Sequence, residues 1–283
     1  MKFKIGNLKL KNRILLAPML EPNDIAFRLL CKKAGCSLNF TGMTSSLTKN
    51  NLILEDKPAL QIFSNSTKGI KDIIKRYDKI VSLWDFNLCC PSKLSKKLGH
   101  GAFLHNDINT IKKILIEIRS STKKPCTVKL RKSENSIKIA KIAENIGFDA
   151  IIIHPRTFSQ GYSGNPDYNF AKKLKRSVKI SVIYSGNVNL KNYKKILNDF
   201  DFIMIGRESI GNPNIFSIML NKKPRIQFKD YLKLAKKYNL KYKQIKYQAM
   251  NFTKNQKNAK QLRKELINAK TVKEIEIISR KFN

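Results

Sequence analysis

The chain has 283 residues, 42% of them hydrophobic, which is enough for a packed core and excludes global disorder. With 57 Lys+Arg against 20 Asp+Glu, the formal net charge is +37, a field that draws polyanions such as RNA, DNA or an anionic membrane surface. Five cysteines without a CxxC pair exclude a secreted disulfide framework and argue against structural zinc, and no apolar run reaches the roughly 18 residues of a membrane span.

The N-terminus, MKFKIGNLKLKN, lacks the apolar core of a signal peptide. A cytoplasmic, soluble monomer with no metal site and no membrane partner is expected. From residue 14 onward, short β-branched runs alternate with longer amphipathic stretches. The runs are Ile14–Met19, Leu38–Met43, Pro58–Phe63, Leu83–Leu88, Cys126–Arg131, Ala150–Arg156, Ile180–Gly186 and Phe202–Arg207. Their brevity and composition predict buried parallel strands. Asp24–Ala34, Ile108–Arg119, Ser136–Ile146 and Leu190–Leu197 carry apolar residues near the 3.6 spacing of a helix. Ser45–Lys57 instead reads as a long loop. Eight strands with intervening helices predict an α/β fold, a (β/α)8 TIM barrel, over residues 1–222.

After Pro224 the strand-like runs stop and helical periodicity continues, so residues 223–283 are expected to form a small all-helical domain. Residues 222–283 hold 19 Lys+Arg and 4 Asp+Glu, a balance of +15. Two readings of this charge stay open. One is a nucleic-acid-binding face. The other is a lysine-rich composition, since the chain has 46 Lys and only 11 Arg, and Arg is the residue suited to bidentate phosphate contacts.

Chemically capable residues concentrate at the C-terminal ends of the strands: Gln61, Asn87, Cys90, Lys129, Arg131, His154, Arg156, Ser185, Asn187 and Arg207. In a barrel these ends converge on one face, where active sites are built. Ser185-Gly186-Asn187 and Gly206-Arg207 follow the seventh and eighth strands, where barrels often hold a phosphate. Glycine permits close backbone approach there and Arg207 can pair with the anion. Lys129 and His154 end consecutive strands, and a cation beside the pyrimidine end of a flavin would stabilise its anionic reduced ring. Cys90 precedes Pro91, and a thiol of ordinary pKa about 8.5 can donate a proton at neutral pH. Its neighbour Cys89 leaves a buried thiol pair or a vicinal disulfide as other readings.

Leu16-Ala17-Pro18-Met19, Leu60-Gln61, Asn87-Leu88-Cys89-Cys90-Pro91, Val128-Lys129-Leu130-Arg131, His154-Pro155-Arg156-Thr157 and Met204-Ile205-Gly206-Arg207 resemble the ordered motifs of tRNA-dihydrouridine synthases. Gly211–Phe216 and the tail, with Gln261-Leu262-Arg263, resemble later parts of the same family. The resemblance implies an FMN-dependent oxidoreductase that reduces the C5–C6 bond of a uridine in the tRNA D-loop, with NADPH, or alternatively NADH, as reductant. Cys90 would supply the proton. FMN would rest on Pro18, Met19, Leu20, Gln61, Lys129 and His154, with its phosphate at Ser185, Gly186, Asn187, Gly206 and Arg207. Asn87, Arg131 and Arg156 would face the base, which must be flipped out of its stack to reach a barrel mouth. The basic helical domain would grip tRNA.

The sequence departs from the family at three places. Cys89 stands where Gly is usual, Ser185-Gly186-Asn187 where Asn-Gly-Asp is usual, and Glu21-Pro22-Asn23-Asp24 where Gly-Val-Thr-Asp is usual. Two other readings share the fold: a small-molecule flavin reductase of the dihydroorotate or ene-reductase type, and a non-catalytic RNA-binding relative. The basic tail argues against the first, and bound FMN would rule out the second.

Overall fold

The computed structural model describes residues 3–254 and 256–282. Met1, Lys2, Asn255 and Asn283, which belong to the expected 1–222 and 223–283 divisions, lie outside the described residues. The chain opens with an antiparallel hairpin, β1 (Phe3–Ile5) and β2 (Leu8–Leu10). Gly6 makes its turn at φ +54, a conformation that glycine adopts without steric cost. Ile5 and Leu10 pack with Leu15, Leu83, Ala150 and Phe202. The hairpin therefore plugs the N-terminal end of the barrel that follows.

The barrel strands are β3 (Ile14–Leu16), β4 (Thr44–Ser45), β5 (Ala59–Phe63), β6 (Leu83–Leu88), β7 (Cys126–Arg131), β8 (Ala150–His154), β9 (Ser181–Ser185) and β10 (Phe202–Ile205). All neighbouring pairs are parallel, in the order β3-β10-β9-β8-β7-β6-β5-β4. Closure between β3 and β5 comes from residues 38–41. Leu16 N–H donates to Leu38 O and Phe40 N–H to Leu16 O, while Thr41 N–H donates to Ala59 O and Ala59 N–H to Asn39 O. The second expected strand, Leu38–Met43, is thus a pair of isolated bridges followed by the short β4. Its irregularity has a local cause. Asn39 turns its side chain away from the barrel to donate to Arg28 O and Asp56 Oδ2.

Helices α1 (Ile25–Lys33), α2 (Ile70–Tyr77), α3 (Lys93–Lys97), α4 (Ile108–Ser121), α5 (Ser136–Ile146), α6 (Tyr168–Ser177), α7 (Tyr193–Asp199) and α8 (Ile215–Met219) follow the strands. Asp24, Asp107 and Asp167 cap α1, α4 and α6 by accepting a backbone N–H three residues on. The long loop expected over 45–57 is present, and a buried Arg28–Asp56 ion pair at 3.0 Å ties it to α1. Arg28 also donates to Ile53 O, so the buried charges are hydrogen-bonded as well as paired.

Period-two alternation divides the apolar residues into two layers. Leu15, Phe40, Ala59, Leu83, Ala150, Ile152, Ile183 and Met204 fill the barrel. The alternate residues, such as Ile14, Leu60, Trp84, Val128, Ile151 and Ile203, pack under the helices.

The C-terminal part is four helices, α9 (Phe228–Lys237), α10 (Tyr242–Phe252), α11 (Ala259–Asn268) and α12 (Val272–Ser279). They share one apolar cluster with the barrel's helical layer. Tyr231 and Gln248 both donate to Asp24 Oδ2, the second oxygen of the α1 cap. Among the described residues, no helix is long and apolar enough to cross a membrane.

Candidate active site

The C-terminal strand ends converge on one mouth, and its floor is a chain of polar side chains inside the barrel. Register pairs Gln61 with Asp85, Asp85 with Thr127, and Asn87 with Lys129. Gln61 Nε2 donates to Asp85 Oδ2 at 2.6 Å, and Thr127 Oγ1 donates to Asp85 Oδ1 at 2.7 Å. Asn87 Nδ2 donates to Gln61 Oε1 at 2.7 Å. Asn87 Oδ1 then accepts the backbone N–H of both Cys89 and Cys90, at 3.1 and 3.0 Å. This is an Asx-type turn, and it sets where the strand stops and how Cys90 leaves it. Burial pushes the Asp85 carboxyl up to about 7, against the opposing hydrogen bonds from Gln61 and Thr127 and the charge of Lys129.

Cys90 is half-buried, whereas Cys31, Cys36, Cys89 and Cys126 are buried; all five are free. No vicinal disulfide joins Cys89 and Cys90. Lys129 Nζ instead donates to Cys89 Sγ at 3.0 Å, so Cys89 points toward the cation. The Cys90 carbonyl accepts from Ala102 N–H. A side chain at Gly101, which has φ +65, would stand 2.7 Å from that carbonyl. His105 Nε2 donates to Leu88 O, and its Nδ1 accepts from Ser133 Oγ, each at 2.6 Å. The loop carrying Cys90 is therefore held from both sides.

On the opposite wall, burial pushes the His154 imidazole down to about 2, and Lys129, Arg131, Arg156 and Arg207 add to the shift. The ring is neutral at physiological pH. Arg156 Nη1 approaches His154 Nε2 at 3.1 Å, which makes that nitrogen the acceptor. Arg131 and Arg156, expected to face the base, are each only 1% exposed. Arg131 donates to Cys89 O, Thr157 O and Gly161 O, and Arg156 donates to Ser163 O and Gly164 O. Both guanidiniums thus hold the loop after β8. Arg207 is exposed, donates to Asn187 Oδ1 at 2.7 Å, and lies 5.2 Å from the centre of the Tyr162 ring.

Gly186 is at φ +140, and a side chain there would meet His154 at 3.1 Å. Gly206 passes close to Ala17 and Met19, and Gly42 leaves room for the Met19 carbonyl. Ser185 is buried at the end of β9. Leu20 is 71% exposed at the rim, and Pro18 is partly exposed. The expected residues from β3, β5, β6, β7, β8, β9 and β10 therefore lie at the same end of the parallel barrel.

Asp85, Thr127, His105 and Tyr162 belong to the same region without having been singled out from sequence. Asp85 did carry a signal, as an acid inside the apolar run Leu-Trp-Asp-Phe-Asn-Leu in phase with Asn87. Tyr162 carried a weaker one, an aromatic between Gly161 and Gly164.

A parallel eight-stranded barrel with a cationic C-terminal mouth defines the chain as a (β/α)8-barrel protein of the kind that builds its site on strand ends. Solved structures agree on that fold. Morphinone reductase in complex with tetrahydroNAD superposes with a TM-score of 0.52 at 13% identity, covering 78% of this chain and 90% of that one. The old yellow enzyme homologue from Zymomonas mobilis gives a TM-score of 0.56 at 12% identity, covering 81% and 94%. Residues 15–280 match the family model for dihydrouridine synthase (Dus), and the chain belongs to that family. Among its relatives, tRNA-dihydrouridine synthase B of Pasteurella multocida (strain Pm70) is 32% identical over 238 residues, spanning 76% of this chain and 71% of the relative. A probable tRNA-dihydrouridine synthase of Rickettsia conorii is 33% identical over 235 residues, with the same two coverages.

Proposed function

We propose that the protein is a tRNA-dihydrouridine synthase that reduces the C5–C6 double bond of a D-loop uridine, using FMN, NADPH (or NADH) and a proton from Cys90. The observation that carries this reading is the position of Cys90. It is the only thiol of the five that is not buried, and it leaves β6 on a turn anchored by Asn87, across the strand from Lys129.

The residues present fit FMN. The positive charges of Lys129, Arg131, Arg156 and Arg207 all act on His154. Such a field suits a phosphate and an anionic reduced ring. When bound, FMN supplies the hydride for C6 of the uracil. Pro18, Met19 and Leu20 would line its place by their backbone, Gln61 and Lys129 would contact its ring, and His154 would stand nearby. The backbone of Ser185, Gly186, Asn187 and Gly206, together with Arg207, would hold its phosphate.

Cys90 donates its proton to C5, and Asn87 fixes the backbone from which that thiol projects. His154 stays neutral, so it orients and does not serve as the acid. Arg131 and Arg156 act on the base through their charge and through the loop at 157–164 that they hold. A groove lined by Lys229, Lys233, Lys254 and Arg280 among its cations, with Phe228 and Phe252, supports a polyanionic partner for residues 223–283.

The test is direct. The purified protein should be yellow, with FMN near one per chain, and should restore dihydrouridine in tRNA from a strain lacking the gene. Cys90→Ala should lower turnover on tRNA by at least roughly 10²-fold. Full turnover by that variant would remove Cys90 from the mechanism.

A further inference from the structure

We propose that Asp85 is a positioning residue that fixes the direction of the amide chain Gln61–Asn87 and, through it, the conformation of the Cys89–Cys90 turn. This rests on the reading above only in calling Cys90 the proton donor. A carboxamide has an oxygen end and a nitrogen end, and each amide here uses both. Asn87 must present oxygen to the two backbone N–H groups, because nitrogen there would set donor against donor. Its nitrogen therefore faces Gln61, which must offer oxygen, and the Gln61 nitrogen must then find an acceptor on its other side. Asp85 Oδ2 is that acceptor, at 2.6 Å.

Asp85 is 1% exposed and Gln61 2% exposed, so solvent offers no ready substitute. Reversing any one amide would reverse them all and release the turn. The groups facing Asp85 are Gln61 from β5 and Thr127 and Lys129 from β7. The requirement is an acceptor at position 85 and not a charge. Burial pushes the carboxyl up to about 7; when Oδ1 is protonated, the Thr127 hydroxyl turns to accept from it, and Oδ2 still accepts from Gln61.

The test uses full-length purified protein and the rate at which iodoacetamide alkylates Cys90, read by peptide mass spectrometry. Asp85→Asn can keep its oxygen toward Gln61 while its nitrogen donates to Thr127, so its rate should match wild type. Asp85→Leu removes the acceptor and should raise the rate about fivefold. Should Asp85→Leu misfold, the near-isosteric pair Asp85→Asn with Thr127→Val gives a second route. The asparagine nitrogen then loses its acceptor, the amide is free to turn, and the rate should rise by a similar factor.

An Asp85→Asn rate as high as that of Asp85→Leu would overturn the claim that an acceptor suffices. Unchanged rates in the double variant would overturn the claim of direction. Turnover on tRNA is measured alongside. If alkylation follows the prediction while wild type makes no dihydrouridine, the positioning role stands and the functional reading falls.

Discussion

Asn87 Oδ1 takes two backbone N–H groups and so bends the chain at Cys89 and Cys90. That single atom spares the buried Cys89 N–H the cost of going unpaired, about 1–3 kcal/mol, and also holds the half-buried Cys90 N–H. Below it, Asp85 costs stability at neutral pH. In the unfolded chain its carboxyl releases its proton near the ordinary 3.8, and in the fold it does so at about 7. Between those values the folded state binds the extra proton, so the contribution of this group is most favourable below pH 4 and is lost as pH rises to 7. Asp85→Asn should abolish that slope. Chemical denaturation at pH 4.5 and pH 8 should show the variant gaining on wild type by up to roughly 3–5 kcal/mol across the window. Equal pH slopes in the two proteins would contradict a raised carboxyl.

At the scale of elements, the segment after β6 and the loop after β8 form the two lips of the mouth. The first is held by close backbone contact at Gly101. Gly101→Ala forces a left-handed residue and drives a methyl against the Cys90 carbonyl, which should destabilise by about 1–3 kcal/mol. Urea denaturation measures this, and a variant as stable as wild type would show that the lip adjusts freely. The second lip hangs from Arg131 and Arg156. Here sequence and structure part company in an informative way. The strands themselves were legible, because β-branched runs such as Ala150–His154 have no other buried role at that length. The placement of polar residues was legible in part, since Arg131 and His154 end β7 and β8 side by side and Arg207 follows β10. The use made of Arg131 and Arg156 was not. Four of their acceptors are carbonyls in residues 157–164, whose return path follows from tertiary packing and leaves no periodic trace. Asp85 was hidden for a similar reason, as its meaning lies in Gln61 and Thr127 on the two neighbouring strands.

At the scale of the whole molecule, the basic helices are not a loosely tethered appendage. Tyr231 and Gln248 meet the Asp24 cap of α1, and Tyr238 donates to Glu55 across the same boundary at 2.6 Å. Lys236 is paired with Glu276 at 2.7 Å, and of the groove's other cations Lys229 and Lys233 stand one turn apart on α9, which makes them the pair to test. If the groove carries tRNA phosphates, binding should weaken steeply with salt. Lys229→Ala with Lys233→Ala should then reduce the slope of log K against log salt by about 1 for each lysine in contact. Filter binding between low and moderate salt measures it, and an unchanged slope would move the RNA elsewhere on the surface.

The closure of the barrel has a consequence of its own. Between β6 and β7 five residue pairs are zipped, whereas between β3 and β5 residues 38–41 make two isolated bridges, Leu16–Asn39 and Phe40–Ala59, before the two-residue ladder of β4. A cylinder so built has a seam. Amides of Leu16, Phe40, Thr41 and Ala59 should exchange with deuterium before those of β6 and β7, as a low-energy opening of the native state. Gly42, just beyond the seam, abuts the Met19 carbonyl. The wall that breathes first is therefore the one beside the Pro18–Leu20 rim, and a ligand resting there would act as a staple across the slit.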